Sequence, residues 1–411
     1  MFVVEQPFAS DFFFRSLEKQ QAPVLASAAV EEFNVANRNL NLVSDKEFVE
    51  YYRKIPEPLY CNSENGLSRV ATLFPDAPFV RFAELFKNKT QFRQAVAPLY
   101  PNFVFREVDL TELQTLRYED LPRRFVIKPS VGFLSVGVRF VDSAADWERV
   151  RTEILRESAA FADGKSADFP REVVDLTRYL IEETVDGEEI AVDAYFTVDG
   201  TPVVLDVLRH PFADATDVRD RIYTTSKKFV RRLLPTLETT LARIGATVAD
   251  ALNTSFDRAF PFHAEFRVAA DGSLVPIEIN PGRFAGWHTT ELAFYAYGVD
   301  VYETLTRGLR PDWDQILADA ETDDAVSYFA IFETPSALAA VAATAATAAT
   351  AATDDVAFDY DALAREFSTL FELRRVDWRR RPLAAIAFAQ TTEPQELERV
   401  LKLDVERFAR R

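Results

Sequence analysis

The chain has 411 residues, a formal net charge of −18, 48% apolar residues and a single cysteine, Cys61. Its length suggests two to four compact units, and its acidic balance argues against nucleic acid or an anionic membrane as partner. One cysteine excludes a disulfide framework and a thiolate metal site. No apolar run reaches the ~18 residues of a membrane span, and the N-terminus lacks the basic n-region of a secretion signal, so a cytoplasmic location is expected.

Residues 1–85 read as a small α/β unit. Strands are expected at Phe2–Val4 and Pro23–Ala26. Helices are expected over Ala9–Gln20, capped by Ser10 or Asp11, and over Asp45–Arg53, capped by Ser44. No G-x-G-x-x-G follows the first strand, so nothing supports a dinucleotide site. Ser63, Glu64 and Asn65 lie on a loop and read as caps of the next helix. Lys87, Lys89 and Arg93 then fall near the start of a helix bounded by Pro98 and Pro101. Alone, they read as a solvated basic face.

Residues 124–141, RFVIKPSVGFLSVGVRFV, are two strand-like runs flanking a Pro-Ser-x-Gly loop. Glycines 132 and 137 with Ser130 and Ser135 let N–H groups and hydroxyls turn toward an anion. Lys128, at the strand end, adds a point charge. A mostly helical stretch over 145–178 looks structural. Residues 179–208 follow with a buried strand ending in Glu182-Glu183 and a turn at Asp186-Gly187. Two further strands are joined at Asp199-Gly200, which sets Asp193 opposite Asp206 and Glu189 opposite His210. Arg219, Arg221 and Tyr223 form a candidate anion patch before a long helix from Phe229 to about Leu252.

Residues 260–288, FPFHAEFRVAADGSLVPIEINPGRFAGWH, alternate apolar and polar residues on both sides of Asp271-Gly272. Period two argues half-buried strands, and Asp-Gly between them is a hairpin signal. A two-residue turn there sets Glu265 opposite Glu278 and His263 opposite Asn280. Opposed side chains sit about 4.5–5.5 Å apart at their β-carbons, where like charges destabilise a sheet. Two carboxylates so placed call for a cation. Mg²⁺ commonly takes one or two carboxylates, keeps waters and uses substrate phosphates; Asn280 adds a neutral oxygen and Arg283 a guanidinium. Residues 289–310 read as one amphipathic helix. The tail, 311–411, is expected to hold strands at 326–333, 371–378 and 383–391 and helices near 359–370 and 394–409. Its Ala-Ala-Thr linker at 342–353 is low in complexity and expected to be mobile or marginally helical.

The motifs together resemble the ATP-grasp superfamily: K-N-K at Lys87–Lys89, the K-P-S-x-G strand end, E-E-x-x-x-G-x-E from Glu182 to Glu189, and H-x-E-x-R with PIEINPGRF. The resemblance implies an α/β (α+β) ATP-grasp fold. An N-terminal α/β pre-ATP-grasp domain spans 1–85, the nucleotide-binding and catalytic domains 86–310, and a C-terminal α+β module 311–411. Lys89, Lys128, Ser130 and Ser135 are implied at the ATP phosphates, with the Lys128 loop closing over the γ-phosphate. Glu182 is implied at the adenine amino group, main-chain groups near Glu183 and Val185 at the adenine edge, and Glu189 at the ribose. Glu265, Glu278 and Asn280 are implied Mg²⁺ ligands (Mn²⁺ as a substitute). Arg283 is implied at an acyl-phosphate, with Arg267 as the fallback because Gly282 shifts the arginine one place from the common pattern.

The activity so implied is an ATP-dependent ligase that activates a small-molecule carboxylate as an acyl-phosphate and joins it to an amine, such as an amino acid. The alternatives are an ATP-grasp kinase, a carboxylase-like enzyme, or a non-catalytic ATP-binding regulatory protein. A homodimer fits the resemblance.

Overall fold

The computed structural model describes residues 1–33, 35–132, 137–162, 175–212, 221–319, 324–347 and 357–410. Its first unit is a four-stranded parallel sheet in the order Asn41–Val43, Pro23–Leu25, Phe2–Val3, Tyr60–Cys61. Two of these strands, at 41–43 and 60–61, are too short for a sequence pattern to mark. The expected helices form at Asp11–Gln20 and Asp45–Lys54. Ser10 caps the first, accepting from the Phe13 amide, and Ser44 closes a capping box with Glu47 on the second. Each satisfies amides that a helix start otherwise leaves unpaired.

A second, antiparallel sheet has the order Phe105–Asp109, Asp175–Glu183, Phe125–Val131, Arg139–Val141. Helices Leu110–Thr115 and Ala144–Ala162 back it, closing a core around Trp147, Phe125, Ile127 and Ile181.

The third sheet has eight strands, all neighbours antiparallel: Leu274–Pro281, Phe260–Val268, Glu188–Phe196, Pro202–Arg209, Ile222–Thr225, Val326–Glu333, Leu383–Thr391, Thr369–Arg375. Strands from the last hundred residues thus extend the sheet that carries the Glu265 hairpin, joined through the four-residue strand at 222–225. Helix Lys227–Leu252 covers one face. Its Leu233, Leu237, Leu241 and Ile244 pack on Ile190, Val192, Phe196 and Phe262, the 3.6-residue stripe expected of a core-facing helix. The opposite face carries the polar members of the same strands, because successive side chains alternate across a sheet.

Three expectations are corrected. Residues 289–310 are not one helix: short helices Leu292–Tyr297 and Val301–Thr306 meet at Gly298, whose φ of 75° ends the first, while Asp300 caps the second. The tail helices are shorter than expected, Tyr360–Ala364 and Pro394–Leu401. The hairpin turn is not the two-residue form, since the Ala269 amide donates to the Ser273 carbonyl and closes a three-residue loop. A helix, Ser336–Thr347, runs into the Ala-Ala-Thr tract, and the rest of the tract lies outside the described residues. Deleting residues 348–353 is expected to leave melting temperature and turnover near wild type; a large loss of turnover would give the tract a role.

Candidate active site

The expected pairings hold despite the different turn. Near the loop the register is offset by one residue, with Arg267 opposite Val275 and Phe266 opposite Pro276. A bulge at Ile277 then restores it, so Glu265 faces Glu278 and His263 faces Asn280. Such a bulge re-aims backbone beside a site, and Pro276 is tolerated there because no ladder bond from its nitrogen is needed. The carbonyls at the bulge point across to other elements: Pro276 O accepts from Arg93 Nη2 at 2.7 Å and Ile277 O from Lys128 Nζ at 3.4 Å. The second hairpin behaves likewise, with Asp193 opposite Asp206 past a bulge at Leu205.

Basic side chains from the smaller sheet and its flanking helix converge on these strands. Lys89, first residue of helix Lys89–Val96, reaches Glu278 Oε2 at 2.8 Å and the Gly132 carbonyl at 2.9 Å. Lys128 Nζ lies 2.5 Å from Glu182 Oε1, and Arg93 Nη2 lies 2.8 Å from Glu182 Oε2. Burial alone would raise the Glu278 carboxyl, but Lys89 and Lys128 outweigh it and hold the group at about 2. Glu182 is likewise lowered, its desolvation overcome by Lys128 and Arg93. Asn280 Nδ2 donates to Glu278 Oε1 at 3.0 Å. These ion pairs fill the space between the sheets and leave a hollow of about 10 Å³ lined by Glu64, Lys87, Lys89, Gly132, Glu278 and Asn280.

Not every predicted residue joins this cluster. Arg283 ion-pairs with Glu64 at 2.8 Å, which brings the first unit to the site. Arg267 turns to Glu189 at 2.6 Å and to the Gly187 carbonyl. Ser130 is buried, its hydroxyl donating to the Glu107 carboxylate and bonding Thr90, so that it fastens strand to helix. Glu183 is tied to Val104 through both its amide and its carboxylate. With Val185 it lines a separate hollow of about 950 Å³ that holds none of the other predicted residues. Ser135 and Arg219 lie outside the described residues. Among the described residues, no group of three or more His, Cys, Asp and Glu side chains converges for a metal; the paired carboxylates with an amide are the smaller set suited to Mg²⁺.

Arg93, read with its neighbours as part of a solvated basic face, is nearly fully buried and ties helix Lys89–Val96 to strands Asp175–Glu183 and Leu274–Pro281. Its only signal was its position one helical turn after Lys89, on the same face. Sequence reasoning passed over a buried polar layer beneath the hairpin. His263 Nδ1 lies 2.8 Å from Asp193 Oδ1, which also accepts from the Ala285 amide. Burial works to lower the His263 imidazole, but Asp193 and then Glu265 raise it to about 9, leaving it cationic beside Glu265 at neutral pH.

Asp206 is fully buried beside Asp193 with Oδ2 unpartnered. Burial, then the Asp193 charge, push its carboxyl well above the ordinary range. A raised carboxyl contributes stability fully present below about pH 4, the unfolded aspartate value, and lost as pH rises through the native value. Asp206→Asn removes that loss. It is expected to raise stability at pH 8 by about 1–3 kcal/mol, with the gain vanishing near pH 4; denaturant melts at the two pH values measure it.

The family model of the ATP-grasp domain matches residues 121–291, which are therefore an ATP-grasp domain. The chain as a whole has the ATP-grasp fold. It is similar to L-amino acid ligase from Bacillus licheniformis, with 16% identity and a TM-score of 0.60 over 99% of this chain and 97% of that one. Phosphoribosylamine–glycine ligase from Thermotoga maritima gives 12% identity and 0.58 over 99% and 96%. The biotin carboxylase domain of the Hydrogenobacter thermophilus 2-oxoglutarate carboxylase, bound to MgADP, ADP and bicarbonate, gives 12% and 0.57 over 95% and 86%. No curated protein matches significantly in sequence. No helix among the described residues is long and apolar enough to cross a membrane.

Proposed function

We propose that the chain is an ADP-forming, Mg²⁺-dependent ligase that joins a carboxylic acid, such as an amino acid, to an amine. The observation that carries this reading is the Glu265–Glu278 pair, faced by Lys128 from the smaller sheet and by Lys89 from the helix beside it. The fold shared with an L-amino acid ligase and a glycine ligase supports the reaction class. Glu278 stays ionised far into acid, and two carboxylates with the Asn280 oxygen fit a cation that retains waters.

Bound Mg²⁺ would supply neutralisation of the phosphate charge. The chain's own residues do the rest. Lys89 and Lys128 exchange their carboxylate partners for phosphate oxygens, as compact point charges on flexible stems can. Glu182, fixed by Arg93, accepts from the adenine amino group while the main chain at Val185 meets the ring edge. Glu189, held by Arg267, takes the ribose hydroxyls. Arg283 leaves Glu64 for the developing acyl-phosphate and offers it a forked pair of donors. An oxygen of the substrate carboxylate bonds to the γ-phosphorus as the bond to the ADP oxygen breaks. The amine nitrogen then attacks the acyl carbon, phosphate departs, and the nitrogen gives up a proton. Positioning and preset charge provide the rate enhancement, and no protein nucleophile is needed.

The test is phosphate release from MgATP across pooled amino acids, amines and small carboxylic acids. Release that requires an acid and an amine together supports the ligase. Release with an acid alone would favour a kinase, and ATP binding without release on any pool would oppose an enzyme.

A further inference from the structure

All three regions of the chain meet at one buried carboxylate, Glu291, at the end of the loop that leaves strand Leu274–Pro281 through Arg283. Glu291 Oε1 accepts from Ser10 Oγ of the first unit at 2.5 Å and from Tyr302 at 3.0 Å, with His288 Nδ1 at 3.1 Å. Its Oε2 ion-pairs at 2.5 Å with Arg374, from the last strand of the eight-stranded sheet. The same guanidinium binds Glu372 at 2.7 Å and lies 4.4 Å above the Phe388 ring. Glu372 in turn accepts from the Tyr295 hydroxyl.

The segment so anchored is strained. Trp287 and His288 are consecutive non-glycine residues in the left-handed region, with φ of 55° and 60°. Side-chain-bearing residues hold that conformation only where the surroundings over-determine it, and such sites cluster at functional loops. The surroundings are visible here: Asp193 holds the loop's start through the Ala285 amide, Glu291 holds its end, His288 bonds Tyr302 at 2.5 Å, and Phe8 packs 5.7 Å from the Trp287 ring. Trp287 itself is only half-buried. The loop follows Arg283 directly in the chain, so its turn is set four residues from that guanidinium.

We propose that Arg374 is a positioning residue for the acceptor substrates: by fixing Glu291 it sets the Trp287–His288 turn beside Arg283, so that the C-terminal strands contribute to the site without touching the nucleotide. The inference rests on the ligase reading for its kinetic arm but not for its spectroscopic one. Removing Arg374 alone leaves a buried charge unpaired and risks unfolding. The informative protein is therefore Arg374→Met with Glu291→Gln, which neutralises both partners. Folded, it is expected to keep the ATP KM near wild type and to raise the acid or amine KM about tenfold or more, as small misplacements of substrate do. Acrylamide quenching of Trp287, taken as the difference from a Trp287→Phe control in the same background, is expected to rise. Should the double variant not fold, Arg374→Lys carries the test, since it keeps the charge but not the planar fork reaching both glutamates.

A folded variant with acceptor KM and Trp287 quenching both unchanged would overturn the proposal and leave Arg374 as a core ion pair. If the wild type turns over no acid and amine, the ligase reading fails by itself. The quenching difference then still decides whether Arg374 sets the loop.

Discussion

Glu278→Gln is expected to lower MgATP-dependent turnover by about 10³-fold or more, the scale on which a preset charge at a reacting centre acts. Glu278 faces Glu265 across the hairpin and is kept ionised by Lys89 and Lys128. Glutamine preserves its shape and removes the charge. The variant should remain folded, because Lys89 keeps the Gly132 carbonyl as a second partner, although loss of a largely buried ion pair will lower the melting point. Circular dichroism and phosphate release on the same sample decide the matter. A folded Glu278→Gln with retained turnover would remove the carboxylate pair from the chemistry.

Lys89→Met has two opposed effects, and the opposition is the informative part. Lys89 sits on Glu278, so a cation can use that carboxylate only if the lysine leaves. In wild type the phosphates offer Lys89 its alternative partner, and nucleotide and metal should bind as a linked pair. With methionine, metal affinity in the absence of nucleotide should rise about tenfold, equivalent to ~1.4 kcal/mol. ATP affinity should fall by a comparable or larger factor, because a charge-assisted contact to phosphate is gone. Mn²⁺ titrations by electron paramagnetic resonance, with and without ATP, read both. Equal nucleotide-free Mn²⁺ affinity in the two proteins would show that Lys89 does not guard the metal position.

The parts of this site that the sequence disclosed are those fixed by local pattern. Alternation around Asp271-Gly272 placed Glu265 opposite Glu278, and Asp199-Gly200 placed Asp193 opposite Asp206. Both pairings survive because each bulge offsets a loop one residue longer than read, and such compensation has no signature in composition. What the sequence hid is set by long-range packing. Arg93 reads as a solvated helix residue until strands Asp175–Glu183 and Leu274–Pro281 close over it. Ser130 reads as an anion donor until Thr90 and Glu107 take its hydroxyl. The tail strands read as a separate module, yet a four-residue strand, Ile222–Thr225, couples them to the main sheet. Strand order across a sheet follows from contacts far apart in the chain, which local periodicity does not encode.

On the proposed reading, the site transfers the γ-phosphoryl group to a carboxylate. Following oxygen decides it. With MgATP, an amine pool and amino acids labelled with ¹⁸O in the carboxyl group, in unlabelled water, each phosphate released is expected to carry one ¹⁸O from the acid. Phosphate released without label, its new oxygen drawn from water, would contradict an acyl-phosphate and with it the ligase reading.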